Sequence, residues 1–499
     1  VASTATKSFK NFIGGEWVDA ASGETFETTS PATGELLGVF PKSSAADVDR
    51  AVEAAKAAYE EWRLVPAPRR GEILFRFGAL LADAKNEVAE LMAREMGKVL
   101  PEAAGDVQEA IDMSYYMGGE GRRLFGQTTP SELRDKFNMS VRQPIGVVGV
   151  ITPWNFPIAI PSWKIAPALV CGNTIVFKPA TDTPLLGERF VELLVEAGVP
   201  AGVINVVHGG GGEVGDRLVR HPDVPVITLT GSRETGVAVL ESAAQNLKHV
   251  HLELGGKNAI IVLDDADLDL AVEGIVWSAF GTSGQRCTAA SRVIVQEGVY
   301  EELQKRLVGA AEKLRLGPGW EEGVDVGPVI NKRALEKIHS YTEIGKDEGA
   351  KLLTGGEVAS GNGLGEGTFY RPTIFGDVDP EMRVAQEEIF GPTTALIRVK
   401  DVDEAIRVSN GIEFGLSSSI FTRDVNTAFR AMRDLEAGIT YINAGTIGAE
   451  VHLPFGGVKG TGNGHREAGQ AALDVFTEWK SIYVDYSGKL QKAQIDTGE

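Results

Sequence analysis

The sequence predicts an α/β protein built from two parallel-sheet units. Three observations carry that expectation. Short apolar runs alternate with stretches of helical period between residues 145 and 256, and a second such series opens at 258 and continues to 399. The chain is 499 residues long, more than one hydrophobic core ordinarily holds.

The elements follow in order. The first third reads as helix: Ser44 can cap "AADVDRAVEAAKAAYEEW", in which Val48, Ala51, Val52 and Ala55 recur at helical spacing. Further helical patterns cover 68–95 and 102–126, and a polar, strand-like segment follows at 134–144. The period then changes. "IGVVGVITP" (145–153), "NTIVFKP" (173–179), "VINVVHG" (203–209), "VPVITLTG" (224–231) and "HVHLELGG" (249–256) read as strands, with helical stretches near 162–170, 186–198, 213–220 and 234–246 between them. Such alternation builds right-handed crossovers over a sheet buried on both faces. The second series runs through "NAIIVL" (258–263), "SRVIVQ" (291–296), a helix at 299–314 and "TALIRV" (394–399). "TEWKSIYVDY" (477–486) has strand composition and no obvious partner nearby.

Composition narrows the function classes. A formal charge of −20 argues against nucleic acid or an anionic membrane surface as partner, since both require basic patches. Two cysteines, Cys171 and Cys287, cannot build a disulfide framework or a Cys-rich metal site, which fits a reducing compartment. "VASTATKSFKNFIGGEW" has no apolar signal region, and no stretch approaches the roughly 18 apolar residues of a membrane span. A soluble, cytoplasmic protein without a bound metal is expected.

Two glycine-rich junctions invite a phosphate reading. "HGGGGEVG" (208–215) contains G-x-G-x-x-G at Gly210, Gly212 and Gly215, after a strand and before a helix. No acidic residue follows some 20 positions on at a strand end, so a flexible turn competes with a dinucleotide loop. "TGSRETG" (230–236) would start a helix near Ser232, whose free N–H groups suit a phosphate or an ordinary cap equally well. "LGGKN" (254–258) is no Walker loop, because residue 251 is His and Asn258 stands in place of Ser or Thr.

The two cysteines differ in setting. Cys171, in "PALVCGN", fits a small buried apolar residue. Cys287 lies in "GTSGQRCTAASR" (281–292) among Gly284, Gln285, Arg286 and Thr288, where no apolar face explains it. The adjacent Arg286, or a helix N-terminus if one follows, would favour the thiolate. Any base is a carboxylate rather than one of the seven histidines, and Glu253, inside the apolar run "HVHLELGG", is the candidate. A carboxylate at a strand end against glycines would be partly desolvated and its pKa raised toward that of a general base. A satisfied structural ion pair would look the same in sequence.

Seven stretches occur in a fixed order: "TPWNFP" (152–157), "FKPA" (177–180), "TGS" (230–232), "LELGGK" (252–257), "GQRC" (284–287), "EEIFGP" (387–392) and "PFGGVKGTGNGHREAG" (454–469). Together they resemble the aldehyde dehydrogenase superfamily over nearly the whole chain. The resemblance implies two Rossmann-like α/β domains and a strand arm that pairs subunits. It divides the chain into a cofactor domain (1–129 and 147–256), a catalytic domain (257–475) and an oligomerisation arm (130–146 and 476–499), and it implies a homodimer or homotetramer.

The resemblance also implies roles. Cys287 matches the nucleophile, Asn155 the amide that stabilises the oxyanion with the Cys287 backbone N–H, and Glu253 the base that activates water. NAD or NADP would lie against Ile151, Thr152, Pro153, Trp154, Lys178, Ala180, Thr181, Gly215, Gly231, Ser232, Leu254, Glu388 and Phe390. Glu253 favours hydrolysis over transfer to CoA. Thr181 stands where strictly NAD-preferring members place a Glu, which removes a carboxylate that would repel a 2′-phosphate. Arg286, and the loop "NAGTIGAEVHLPFGG" (443–457), resemble dehydrogenases for semialdehydes with a distal carboxylate, such as 2-oxoglutarate semialdehyde. Arg286 can equally tune the thiol or pair structurally. Two other functions stay open: a broad-specificity aldehyde dehydrogenase, and a non-catalytic protein that reuses the fold.

Overall fold

The computed structural model describes residues 7–361 and 363–495. The last four residues of the expected arm, 496–499, and the first six of the chain, 1–6, lie outside the described residues.

Two seven-stranded sheets carry the molecule. In the first, the strands run His249–Glu253, Val226–Thr230, Val147–Ile151, Thr174–Lys178, Ile204–Val206, Asn11–Ile13 and Glu16–Val18. The first five are mutually parallel, and the last two join antiparallel at the edge. Starting at Val147–Ile151 the chain builds outward in one direction, then returns to place Val226–Thr230 on the other side. The carboxyl ends of those two strands therefore flank a topological switch point, where open α/β sheets leave a crevice. The second sheet runs Lys351–Thr354, Thr373–Gly376, Thr393–Val399, Ala290–Gln296, Asn258–Val262, Ser417–Phe421 and Ile439–Ile442, parallel except for its first strand.

Helices cover the sheets for the reasons their spacing suggests. In Ala45–Trp62 the residues Val48, Ala51, Val52, Ala55 and Trp62 are buried, and the Ser44 N–H donates to Asp47 Oδ2 at 3.0 Å at the start. Ala159–Cys171 is buried almost throughout, including Lys164, and ends on the buried Cys171, whose thiol burial pushes up to about 12. Cys171 is core.

Several expectations need correcting. The first third is not all helix: Asn11–Ile13, Glu16–Val18, Thr25–Thr29 and Leu36–Pro41 are strands, too short to show a period against their turns. The pattern over 68–95 is two helices, Ala67–Asp83 and Lys85–Glu95, hinged at Ala84. The strand at 477 does have a partner. Thr477–Asp485 pairs antiparallel with Lys136–Pro144 along nine register positions, and Gln127–Pro130 completes a third sheet. The partners are distant in sequence, so composition shows each strand but not the pair. Among the described residues no helix is long and apolar enough to cross a membrane.

Candidate active site

The short connection Leu254–Lys257 creates the site. It runs directly from the carboxyl end of the first-sheet strand His249–Glu253 to the amino end of the second-sheet strand Asn258–Val262. Asn258 also pairs with Ala290, the first residue of the strand that follows Cys287. One sheet's carboxyl edge thus faces the other's amino edge, with Glu253 and Cys287 on the seam. The two glycines of "LELGGK" are needed for this approach. A Cβ on Gly256 would stand 2.5 Å from the Cys287 carbonyl oxygen, and one on Gly255 would overlap the Glu388 carboxylate.

Two recesses meet at Cys287. The larger, with about 600 Å³ of water-accessible space, is a groove lined by Pro153, Trp154, Asn155, Gly231, Ser232, Leu254, Glu388 and Phe390 among others. The smaller, about 70 Å³, is walled mainly by apolar side chains, among them Phe156, Ile160, Trp163, Ile447 and Phe455, and also by Glu109, Glu253 and Arg286. Thr230, Leu254 and Cys287 belong to both. Size separates their tasks: the groove has room for a dinucleotide, the cavity for a small aldehyde.

Of the residues expected around a cofactor, Ile151, Thr152, Lys178, Ala180, Thr181 and Gly215 do not line the groove, but they cluster beside it. Ile151 and Lys178 end adjacent parallel strands, in register with each other, and the Thr152 N–H donates to the Lys178 carbonyl at 3.3 Å. Gly215 faces the Lys178 side chain, and burial lowers that ammonium to about 8. Thr181 is exposed. Ser232 caps the helix Arg233–Ala244, accepting from the Thr235 N–H at 3.3 Å, and also lines the groove. Trp154 and Phe390 meet edge to face across the groove, ring centroids 5.5 Å apart. Glu388 Oε1 accepts from the Gly256 N–H at 2.8 Å. In "HGGGGEVG", Gly211–Gly215 form one wide helical turn before the short helix Asp216–Arg220.

The Cys287 thiol is not activated in the way its neighbour suggested. No helix follows it; a strand does. Arg286 turns away, its Nε donating to Thr282 Oγ1 at 2.9 Å and its Nη2 lying 3.4 Å from Glu102 Oε1. Burial pushes the half-buried Cys287 up to about 12, and Glu388, Glu253 and Glu467 push in the same direction. With carboxylates in place of a cation around it, the thiol stays protonated until something changes that field. Asn155, buried, donates from Nδ2 to the carbonyl of Gln285 at 3.1 Å, which holds the amide beside the cysteine loop.

Glu253 is buried, and neither carboxylate oxygen has a hydrogen-bond partner among the described residues. Burial, then Glu467, raises its pKa well above the ordinary carboxylate value. The satisfied ion pair is absent. His251 Nε2 lies 3.7 Å away, but burial and the charge of Lys164 hold that imidazole neutral. The Lys164 ammonium is spent on Glu467 and on Thr228 Oγ1, 3.1 Å away. His251 Nδ1 contacts Thr228 Oγ1 at 2.9 Å and lies 3.7 Å from Glu467. Behind Glu253 there is thus a buried polar cluster in which His251 and Lys164 share Thr228 Oγ1 and Lys164 pairs with Glu467, with Glu253 close by but not hydrogen-bonded to it.

These supporting residues were missed in the sequence, although signals existed. His251 sits two residues before Glu253, hence on the same strand face. Glu467 is a carboxylate among glycines, the argument that singled out Glu253. Lys164 interrupts the apolar helix "AIPSWKIAPALVC". Asp182 and Asn331, hydrogen-bonded at 2.8 Å on the groove wall, were missed as well, although Asn331 caps the helix Lys332–Asp347 and its "NKRALEKI" carries that signature.

Comparison with known proteins places the chain as a whole. The profile of the aldehyde dehydrogenase family matches residues 17–482. An alpha-ketoglutaric semialdehyde dehydrogenase of Bacillus subtilis is 43% identical over 482 residues, 96% of this chain and 99% of that protein. The NADP(+) succinate-semialdehyde dehydrogenase of Escherichia coli is 42% identical over 472 residues, 95% of this chain and 97% of the relative. Betaine aldehyde dehydrogenase of Staphylococcus aureus, solved in complex with NAD+, superposes with a TM-score of 0.95 at 34% identity, covering 97% of this chain and 96% of the other.

Proposed function

This chain belongs to the aldehyde dehydrogenase family, and on that premise we propose that it oxidises an aldehyde bearing a distal carboxylate, 2-oxoglutarate semialdehyde first, to the acid with NADP+ or NAD+. The observation that carries the reading is the meeting of the two recesses at Cys287. A reaction that passes a hydride from a small aldehyde to a dinucleotide needs both reactants to reach one atom from opposite sides. The groove suits the dinucleotide: it opens at the switch point, offers the N-terminus of the helix Arg233–Ala244 to a pyrophosphate, and holds Trp154, Phe390 and Glu388 at its inner end.

When bound, the nicotinamide supplies the hydride acceptor. In this reading the protein's own residues do the rest. Cys287 loses its thiol proton to water in the groove, its Sγ attacks the aldehyde carbon, and the Asn155 amide and the Cys287 N–H receive the developing oxyanion. The acyl group carried by Cys287 as a thioester is released by a water that loses its proton to Glu253. Glu253 suits that step because its raised pKa makes it a stronger base than a solvated carboxylate. The buried cluster of His251, Glu467 and Lys164 stands behind it.

The remaining assignments belong to the same reading. Residues 1–129 with 147–256 form the cofactor domain and 257–475 the catalytic domain. The arm of 130–146 and 476–499, which carries most of the third sheet, pairs subunits of a homodimer or homotetramer, and that sheet's exposed Phe137, Trp479, Tyr483 and Val484 support that use. The two unpaired cysteines suit the reducing cytoplasm.

Two expected results follow in solution. Arg286→Ala should raise KM for a carboxylated semialdehyde by about tenfold to a hundredfold, the loss of one charge-assisted contact. A neutral aldehyde of equal length should change little. Because Arg286 is already held by Glu102 and Thr282, a uniform loss through kcat on both substrates would instead assign it to the scaffold and leave the broad-specificity reading ahead. Thr181→Glu should lower kcat/KM for NADP+ by about tenfold to a hundredfold, since a carboxylate at this exposed position beside the groove would repel a 2′-phosphate. NAD+ should lose far less; equal losses would show that position 181 does not read the ribose. A kcat/KM panel of semialdehydes and plain aldehydes with both cofactors tests the function itself, and a panel led by plain aldehydes would overturn the carboxylate preference.

A further inference from the structure

The helix Leu100–Glu120 presents Glu102, Asp106 and Glu109 at intervals of four and three, hence on one face. The first two are occupied. Glu102 lies beside Arg286 and accepts from the Thr282 N–H at 2.8 Å and from its hydroxyl at 3.0 Å. Asp106 accepts from Lys98 Nζ at 2.6 Å and from the Ala159 N–H at 2.7 Å. Glu109 has no hydrogen bond or ion pair among the described residues, and it lines the cavity that ends on Cys287 together with Arg286. Two cations, Lys98 and Arg286, therefore stand against three carboxylates. The positive charge that would greet a substrate carboxylate is already cancelled, and Glu109 decides whether the cluster is neutral or carries one negative charge.

We propose that Glu109 sets the specificity of this cavity: protonated, it donates its O–H to the distal carboxylate of a semialdehyde held beside Arg286, and ionised, it repels that carboxylate. The proposal rests on the carboxylate preference argued above. Every charged group facing Glu109 bears on the sign. Burial raises its pKa to about 7, Asp106 and Asp112 on its own helix add to the rise, and Lys98 and Arg286 oppose it. Tyr441, on a strand of the second sheet, is itself pushed up to about 12 and stays neutral. Below neutral pH Glu109 is thus uncharged and a donor; above it the cavity repels anions, and binding the carboxylate takes up a proton.

The test is the ratio of kcat/KM for 5-oxopentanoate to that for pentanal, measured from about pH 6 to about pH 8.5. Titrations of Cys287 and Glu253 act on both substrates and cancel in the ratio. In the native enzyme the ratio should fall about tenfold across neutral pH, the size of one like-charge contact in a partly solvated cavity. In Glu109→Gln, which keeps a donor and cannot ionise, it should stay high and flat. A flat ratio in the native enzyme, or the same slope in E109Q, would overturn the assignment while leaving the carboxylate preference standing. A ratio that never exceeds one, even near pH 6, would overturn that preference and the role of Glu109 with it.

Discussion

Cys287→Ala is expected to reduce aldehyde turnover by a factor on the order of 10³ or more while cofactor binding survives. Of Thr230, Leu254 and Cys287, the described residues common to the groove and the smaller cavity, the cysteine alone carries a thiol, a far better nucleophile than the Thr230 hydroxyl. Cofactor affinity should persist, because Cys287 touches the groove only at its inner end and Trp154, Ser232 and Glu388 line it independently. Turnover and NAD(P)+ binding by calorimetry check the two halves. A variant that kept more than about a few per cent of native turnover would remove Cys287 from the chemistry.

Glu253→Gln is expected to separate the two halves of the reaction. The first hydride transfer should continue, giving a burst of about one NAD(P)H per site, and steady turnover should then slow by roughly 10²–10⁴, the usual contribution of a general base. The sign with pH follows from the environment. Burial and Glu467 raise the Glu253 pKa, so its base form accumulates only as pH climbs through that raised value. Native deacylation should therefore quicken with pH, and the variant should lose that dependence. Stopped-flow measurement of the burst decides the matter: a variant without a burst would place Glu253 in thiol activation instead.

The parallel strands of the first sheet could be read from sequence because each is a continuous apolar run flanked by turn residues, as sheets buried on both faces require. The edge strands near the N-terminus and the helices Lys332–Asp347, Val402–Asn410 and Val425–Asp434 were not read, being short or amphipathic beside longer signals. Within the site, Cys287 and Glu253 stood out because each is a residue type out of place in its local pattern. Glu102 and Glu109 did not, because a carboxylate on an amphipathic helix looks solvated until the helix is seen turning that face inward.

By itself the sequence determined that this is an α/β protein with two sheets, and it singled out Cys287 and Glu253 as the candidate nucleophile and base. Those properties rest on local composition and on ordered motifs, and a linear chain displays both. Only the tertiary structure decided what surrounds those groups. Arg286 is adjacent to Cys287 in sequence yet turns toward Glu102, whereas burial raises the thiol's pKa and Glu388 and Glu467, some hundred residues or more away, add to the rise. Electrostatic influence depends on distance and burial, not on position along the chain. A neighbour in sequence can therefore leave a thiol's pKa untouched while groups far along the chain shift it.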